Sequence, residues 1–214
     1  MKRSNRPAIG VAALMLIFIA GFILYSPVLA HSTLKGSQIA FHDAMRKLWE
    51  DHITWTRLYI ISAAEDLPDK DLTAARLLQN QVDIGNAIKP FYGDAAGAQL
   101  TALLTDHILI AVEVIDAAKA GDTDAFNAAL EKWYENGDDI AAFLHAANPR
   151  NWPLDEMEMM MKSHLDLTLE EAAARLSGDY AADIAAYDRV HVDILHMADM
   201  LSDGIIHQFP RMFK

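Results

Sequence analysis

The sequence predicts an all-α protein: an antiparallel bundle of about six helices, four of them long, behind an N-terminal signal peptide or membrane anchor. Apolar residues recur at steps of three and four through residues 38–210, which is the period of amphipathic helices. Helix-ending signals interrupt this pattern at intervals, and no stretch shows the two-residue alternation of a half-buried strand. Short connections between such helices favour antiparallel neighbours.

Residues 1–30 have the layout of a targeting segment. Three basic residues lie among the first six, an uncharged apolar run follows from Ala8 to Tyr25, and small residues of the cleavage type lead up to Ala30. The run is long for a signal peptide and marginal for a membrane span, so cleavage and retention as an inner-membrane anchor are both open. Either alternative places the remainder in the periplasm or another extracytoplasmic space. We expect a linker over 31–37 and a single domain over 38–214.

Proline, glycine and aspartate set the predicted helix boundaries. Pro68 ends the first helix, and Gly93 lies in the turn after the second. Gly121 and Gly178 are C-terminal caps, each followed by an aspartate that can cap the next helix, and Pro153 begins the fifth helix. The predicted helices span residues 38–66, 70–89, 94–119, 122–147, 153–177 and 179–208.

The composition excludes several classes of function. The 214 residues carry a formal net charge of −12, and a surface this acidic repels phosphate backbones, so we expect no nucleic-acid partner. The chain has no cysteine, which excludes disulfides, zinc fingers, cysteine-ligated iron–sulfur clusters and covalently attached haem. Contact with a membrane is expected only through residues 1–30 if they are retained, and a homo-oligomer is left open.

Four histidines fall on the predicted inward faces of four different helices. His52 lies in the middle of an aromatic seam on the first helix, His107 on the third, His164 on the fifth and His191 on the last. Asp188 lies one turn before His191 on the same predicted face. Buried imidazoles are costly unless they find partners, and a shared ion or a shared hydrogen-bonded network would satisfy all of them. These five residues are the predicted metal ligands, with Asp188 as a ligand or as an orienting group.

Four further residues are predicted to help bind the cofactor at this site. Asn136 takes the central inward position of the fourth helix, and Trp55 supplies apolar surroundings for His52. Asp83 and Asn86 lie on a polar face of the second helix, which is either solvated or reaches the interior to orient a histidine.

The residue types leave the metal open between copper, iron and zinc. Imidazole nitrogen with one carboxylate suits all three. Met157, Met160 and Met161 fall on the same side of their helix as His164, and thioether sulfur would favour copper(I). Methionine also fills gaps in ordinary cores, so this preference is not decisive.

Five strings stand out along residues 38–214: LWEDHITWTR, NQVDIGNAIKPFYG, LLTDHILIA, FLHAANP and ADIAAYDRVHVDILHMADMLSDGIIHQFP. Together they resemble an uncharacterised family of small bacterial helical proteins, which implies no particular activity. The broader layout resembles the bundles of ferritin-like and haemerythrin-like metal proteins, although the Glu-x-x-His and His-x-x-x-Glu or His-x-x-x-Asp motifs of those families are missing.

Two hypotheses follow from the sequence. The first is an exported helical bundle that binds a transition metal through interior histidines, with redox or small-molecule chemistry if a coordination position stays open. The second is a non-catalytic ligand-binding or sensory bundle whose histidines and Asn136 form a polar pocket for a small molecule. The sequence does not decide whether the protein is an enzyme.

Overall fold

The computed structural model describes residues 35–214, so the predicted targeting segment lies outside the described residues. The helices are α1 (Gly36–Ala64), α2 (Lys70–Ala120), α3 (Thr123–Ala147), α4 (Leu154–Leu176) and α5 (Tyr180–Gln208), followed by a short 3-10 helix (Pro210–Phe213). No strand occurs in this range, which confirms the all-α prediction for residues 35–214. Helix α1 begins at Gly36, inside the predicted linker.

The count of six helices is not reproduced, because the predicted second and third helices are two parts of α2. Gly93 interrupts α2 with φ 86° and ψ 169°, a backbone conformation that favours glycine. A Cβ added to Gly85 would lie 2.6 Å from the carbonyl oxygen of Gly97, although a continuous helix would hold these residues about 18 Å apart. Helix α2 therefore folds back at Gly93 into two antiparallel segments, α2N (70–92) and α2C (94–120).

The helices form a closed ring in chain order. Helix α1 packs against α2 and α5, α3 packs between α2 and α4, and α4 packs against α5. Because successive segments reverse direction, α1, α2C and α4 run parallel to one another. Helix α2 is long and apolar enough to cross a membrane by length and composition, a test that core helices of bundles also pass.

One end of the bundle closes around Trp152, which lies in the loop between α3 and α4. Its side chain is 2% exposed, and its indole occupies the space where a side chain at Gly204 of α5 would project. Asn148 donates to the carbonyl oxygen of Gly204 at 2.9 Å and fixes the loop against α5. The glycine allows this close approach of loop and helix.

The prediction placed the inward face of α5 about one residue away from the face that the structure buries. Ile184 and Asp188 are exposed, and His191 is only partly buried. Asp183 takes an inward position because Arg57 of α1 pairs with it. Small and aliphatic residues at helical spacing after Asp183 form the rest of the buried face of α5. The buried residues of α5 include Asp183, Ala186, Val190, Ile194, Met197, Leu201 and Ile205.

Candidate functional site

Three of the four predicted histidines meet in the interior. His52 of α1, His107 of α2C and His164 of α4 are each at most 3% exposed. The ring centroids of His52 and His164 lie 5.6 Å apart, and those of His107 and His164 lie 6.3 Å apart. Three parallel helices therefore each bring one imidazole to the same cluster.

A cavity of about 30 Å³ adjoins the three rings. The residue four positions after each histidine, which lies one turn further along the helix, is small and lines this cavity. The repeated pattern of histidine followed by a small residue explains why space remains on this side of the rings. These small residues are Thr56, Ala111 and Thr168.

Most of the other cavity walls are apolar, and Tyr59 is an exception. Its side chain is 3% exposed, and its hydroxyl is buried with no hydrogen-bond partner in the described part of the chain. Burial raises the pKa of this phenol to about 12, so it stays protonated and can donate a hydrogen bond. The remaining walls include Ile108, Val114, Leu169 and Ala172.

Asn136 determines which nitrogen of His107 carries the proton. The Asn136 amide nitrogen donates to the carbonyl oxygen of Leu103 at 3.1 Å, which fixes the orientation of the amide. Its Oδ1 then lies 2.9 Å from Nδ1 of His107 and accepts a hydrogen bond from it. Nε2 of His107 is therefore left with a lone pair, the arrangement in which histidine binds metals. Asn136 thus contacts His107, and its predicted part in binding a cofactor stays a prediction.

Gln81 is a member of the cluster that the sequence reasoning missed. It is fully buried, its amide nitrogen donates to the carbonyl oxygen of Leu77 at 2.8 Å, and the same nitrogen lies 3.3 Å from Nδ1 of His52. Its Oε1 is buried without a partner in residues 35–214. The spacing of Leu77, Gln81 and Ile84 on α2N was a usable signal, because it places Gln81 between two core residues.

The third imidazole is the least satisfied. Nδ1 of His164 is buried and has no hydrogen-bond partner among the described residues. Two tryptophans wall the cluster: the ring of Trp133 stacks on His107 with centroids 5.3 Å apart, and Trp49 meets His52 edge-on at 5.8 Å. The site thus combines an apolar aromatic surround with ring nitrogens that lack partners, which is costly unless something binds them.

Burial keeps all three histidines neutral. Desolvation, reinforced by the neighbouring His107, lowers the pKa of His52 to about 3. Desolvation also lowers the pKa of His107 to about 4 and, with the two other histidines, that of His164 well below its usual value. Near pH 7 the cluster consequently offers uncharged imidazoles, the form that coordinates metals.

The separations of two ring pairs, His52 with His164 and His107 with His164, are compatible with a shared ion, but the ring orientations do not form a site. With metal–nitrogen bonds of about 2 Å, two imidazoles on one ion have centroids about 5–6.5 Å apart. Both measured separations fall in that range. Within residues 35–214, however, no three histidine, aspartate or glutamate side chains are placed so that they could hold a metal ion as they stand. Metal binding therefore requires the rings to turn.

His191 and Asp188 lie outside the cluster. Nε2 of His191 pairs with Glu50 of α1 at 2.9 Å, with the His191 side chain 40% exposed, and Asp188 is exposed to solvent. The physical reason is the rotated face of α5, which turns both residues toward the surface.

Three further predicted site residues, Asp83 and Asn86 on α2N and Trp55 on α1, also lie outside the cluster. Asp83 accepts a hydrogen bond from Gln79 of its own helix at 3.0 Å, and Asn86 is exposed. Trp55 is half-buried and lies beneath the guanidinium of Arg76 at 5.2 Å, away from the cavity. The polar face of α2N is therefore largely solvated, except where it turns inward at Asn80 and Gln81.

A buried ion-pair cluster joins α1, α4 and α5. Arg57 of α1 donates to Glu171 of α4 at 2.7 Å and to Asp183 of α5 at 2.7 Å, and both carboxylates are 1% exposed. Burial raises the pKa of Glu171 to about 7, against the opposing effect of Arg57. Glu171 is two turns beyond His164 on α4, so this cluster ties the helices together near the cavity.

The comparisons with known proteins give no identification. No family model, curated protein or solved structure matches the chain.

Proposed function

We propose that this protein binds a transition-metal ion through His52, His107 and His164. The observation that carries the proposal is the meeting of three buried, neutral imidazoles from three helices, with ring centroids 5.6 and 6.3 Å apart and a cavity beside them. One shared ion would satisfy several ring nitrogens at once, including those that lack partners. Bundle interiors are a common location for such sites.

The hydrogen bonds around the cluster indicate how the ligands would be oriented. His107 already presents Nε2 because Asn136 holds its Nδ1 proton. His52 accepts from Gln81 at Nδ1, so ligation through Nε2 requires the other tautomer. Turning the Gln81 amide would bring its unpartnered Oε1 toward His52 and support that tautomer, at the cost of the hydrogen bond to the carbonyl oxygen of Leu77.

Charge balance favours copper(I) over zinc or iron(II). Among residues 35–214 no carboxylate lines the cavity, and the nearby Glu171 is already paired with Arg57. A divalent ion on three neutral ligands would leave two positive charges in a low-dielectric interior, whereas copper(I) leaves one. The methionines do not line this cavity; Met160 and Met161 line a separate apolar one, so thioether ligation is not part of the proposal.

The cavity volume argues against the alternative of a pocket for an organic molecule. Pockets for such ligands occupy about 300–1,000 Å³. The space beside the histidines is about 30 Å³, which suits an ion and a very small molecule. To bind an organic molecule, as the second hypothesis from the sequence requires, the protein would therefore have to open its core.

The test is metal analysis of the full chain, produced with its own N-terminal segment in an extracytoplasmic compartment and purified without chelator. We expect about one copper per chain, and competition with a copper(I) chelator should give a dissociation constant that weakens at least a hundredfold in a His107→Leu/His164→Leu double variant. A His196→Leu/His207→Leu variant, which removes two exposed histidines, is the matched control and should bind normally. Protein that neither contains nor takes up copper, zinc or iron would overturn the proposal.

A further inference from the structure

We propose that the end of the bundle at which Lys35 enters is a docking surface for an anionic lipid bilayer. This inference is independent of the proposed metal site. It extends membrane contact from residues 1–30 to the helical domain itself. Three observations carry it: the distribution of unpaired cations, the exposed apolar residues among them, and the point at which the chain enters the bundle.

An aromatic cluster holds the segments of this end together. Phe41, in the second turn of α1, contacts Phe91 near the fold-back of α2 and Phe213 of the 3-10 helix, with ring centroids 5.2 Å apart in both pairs. Tyr92 contacts Trp152 of the loop between α3 and α4 at 6.1 Å. The start of α1, the fold-back at residue 93, the loop 148–153 and residues 209–214 therefore lie together, and we call them the entry end.

The unpaired cations of the domain all lie at the entry end. The chain has 18 lysines and arginines, of which three precede residue 35, so 15 remain against 30 aspartates and glutamates. Ten of the 15 pair with carboxylates. The other five form no ion pair within residues 35–214, and residues 1–34 contain no acidic residue that could supply one. These five are Lys35, Lys89, Arg150, Arg211 and Lys214.

Positive charge is in slight excess at the entry end, in a domain that is otherwise strongly acidic. Four of the five cations are exposed, and Lys89 is half-buried beside Gly97. The same segments carry Asp94, Asp155, Glu156 and the C-terminal carboxylate. Asp155 and Glu156 lie in the first turn of α4, where the helix dipole offsets part of their charge. Cations without partners are thus available to an external anion.

The opposite end of the bundle is acidic and too distant to prevent docking. Helix α1, with 29 residues, spans about 43 Å between the two ends. The electrostatic screening length is only about 8 Å at physiological ionic strength. A negatively charged bilayer therefore attracts the entry end while the acidic end stays in solution. The connections at the acidic end carry Glu65, Asp66, Asp69, Asp122, Asp124 and Asp179.

Exposed apolar side chains accompany the cations. Ile39 lies in the first turn of α1, Leu154 begins α4 and Met212 lies in the 3-10 helix, and they are 47%, 38% and 51% exposed. Basic and apolar side chains on one surface are the combination that binds the interface of an anionic bilayer. A soluble polyanion would use the charges alone, so the apolar residues favour the bilayer as the occupant.

The point of chain entry favours the same occupant. Lys35 follows the predicted targeting segment, and the chain from Tyr25, where the apolar run ends, to Lys35 can extend over at most about 35 Å. A retained segment would tether the entry end to the bilayer. After cleavage, the basic and apolar side chains would have to supply the membrane contact themselves.

The first arm of the test locates the contact. The full chain has no cysteine, so Met212→Cys at the entry end and Ala120→Cys at the acidic end can each carry one environment-sensitive fluorophore. The probes are vesicles of phosphatidylcholine alone and of phosphatidylcholine mixed with phosphatidylglycerol. We expect a blue shift of the label in Met212→Cys with the mixed vesicles, a much smaller shift with phosphatidylcholine alone, and loss of the difference at high salt. The label in Ala120→Cys should not respond.

The second arm removes the unpaired cations in a Lys35→Gln/Arg150→Gln/Arg211→Gln/Lys214→Gln variant. A basic residue near an anionic surface strengthens binding about fivefold, so the docking constant obtained from the label in Met212→Cys should fall at least tenfold. Melting followed by circular dichroism should be unchanged, because these side chains are exposed and unpaired within residues 35–214.

The matched control changes the net charge equally at four exposed cations that are paired. It is Lys47→Gln/Lys132→Gln/Lys162→Gln/Arg189→Gln, and it should dock within about threefold of the wild type. Equal responses to the two kinds of vesicle, an equal response of the label in Ala120→Cys, or equal losses in the two quadruple variants would overturn the proposal. Binding of heparin without a response to vesicles would also overturn it, by identifying a soluble polyanion as the occupant. Metal-free protein should dock normally, so either result leaves the proposed function untouched.

Discussion

At the scale of single residues, buried amides determine what the histidines can do. Asn136 links the backbone of α2C to the ring of His107, and Gln81 links the backbone of α2N to His52. Asn136 fixes the proton position on His107, and the orientation of the Gln81 amide selects the tautomer of His52, so the chemistry of the cluster depends on residues that are not themselves ligands.

Replacing Asn136 with leucine should destabilise the protein by about 1–3 kcal/mol, because Nδ1 of His107 is left buried without a partner and the carbonyl oxygen of Leu103 loses its second hydrogen bond. The free energy of unfolding from urea denaturation measures this loss. Asn86→Leu, at an exposed position on α2N, is the control and should change it by less than about 0.5 kcal/mol. Equal effects would show that the Asn136 hydrogen bonds contribute little.

The low pKa values of the three histidines predict loss of stability in acid. Between the folded pKa values of His52 and His107, about 3 and 4, and the unfolded value of 6.5, the unfolded chain binds more protons than the folded protein. The free energy of unfolding should therefore fall as pH drops below 6.5, by about 1 kcal/mol per pH unit for each histidine. Glu171 acts in the opposite direction, since its stabilising effect is lost as pH rises from 4.5 through about 7.

Urea denaturation of the metal-free protein at several pH values between 4 and 7 tests this slope. His164→Leu should lower the slope of the unfolding free energy against pH by the amount that corresponds to about one bound proton. His207→Leu, at an exposed position, is expected to leave the slope unchanged. A slope that does not change in His164→Leu would contradict the prediction.

At the scale of helices and loops, two contacts between elements hold the site in place. The Trp152 loop packs on α5 through the gap at Gly204, and Arg57 joins α1 to the carboxylates of α4 and α5. Both contacts lie away from the imidazoles, yet they determine how α1, α4 and α5 are aligned.

Gly204→Ala should destabilise the protein by about 2 kcal/mol or more, because the added methyl group overlaps the Trp152 indole. Thermal unfolding followed by circular dichroism measures the effect. Gly36→Ala, where an added Cβ meets nothing within 4 Å, is the control and should be neutral or slightly stabilising. A loss of equal size in both variants would exclude the proposed overlap.

Arg57→Leu should cost about 3 kcal/mol, because it leaves two buried carboxylates without their main cation. The loss should be smaller at pH 6 than at pH 8, since Glu171 can then accept a proton and become neutral. Lys47→Leu removes an exposed pair with Asp51 and should change stability by less than about 1 kcal/mol at either pH. A pH-independent loss in Arg57→Leu would show that Glu171 does not respond in this way.

At the scale of the whole molecule, the fold-back of α2 determines which helices bring histidines to the cluster. It makes α1, α2C and α4 parallel members of the ring, so that their histidines lie at one level and their small residues at the next. A ligand bound at that level contacts three of the helices and should stabilise the entire domain.

Copper(I) at about 100 times its dissociation constant should raise the free energy of unfolding by about 2.7 kcal/mol and the melting temperature by roughly 5–10 °C. Differential scanning calorimetry with increasing copper(I) measures the shift. The His107→Leu/His164→Leu variant should melt at the same temperature with and without copper. A shift that survives in this variant would place the binding elsewhere.

The sequence predicted the helical class, most helix boundaries and three of the four inward histidines, because each depends on short-range periodicity and on local turn residues. The inward position of Asn136 followed from the same rule. The prediction failed on α5, where two neighbouring faces carry aliphatic residues and the choice between them depends on Arg57, a residue more than a hundred positions away.

The sequence by itself determined which helices form and that histidines interrupt the apolar faces of α1, α2C and α4. Only the tertiary structure decided that His191 and Asp188 face outward, that Gln81 reaches His52, and that a cavity of about 30 Å³ adjoins three imidazoles. The physical reason is that a helical repeat fixes the relative directions of side chains on one helix. The rotation of each helix, and the space left between helices, depend on packing and ion pairs between residues far apart in the chain.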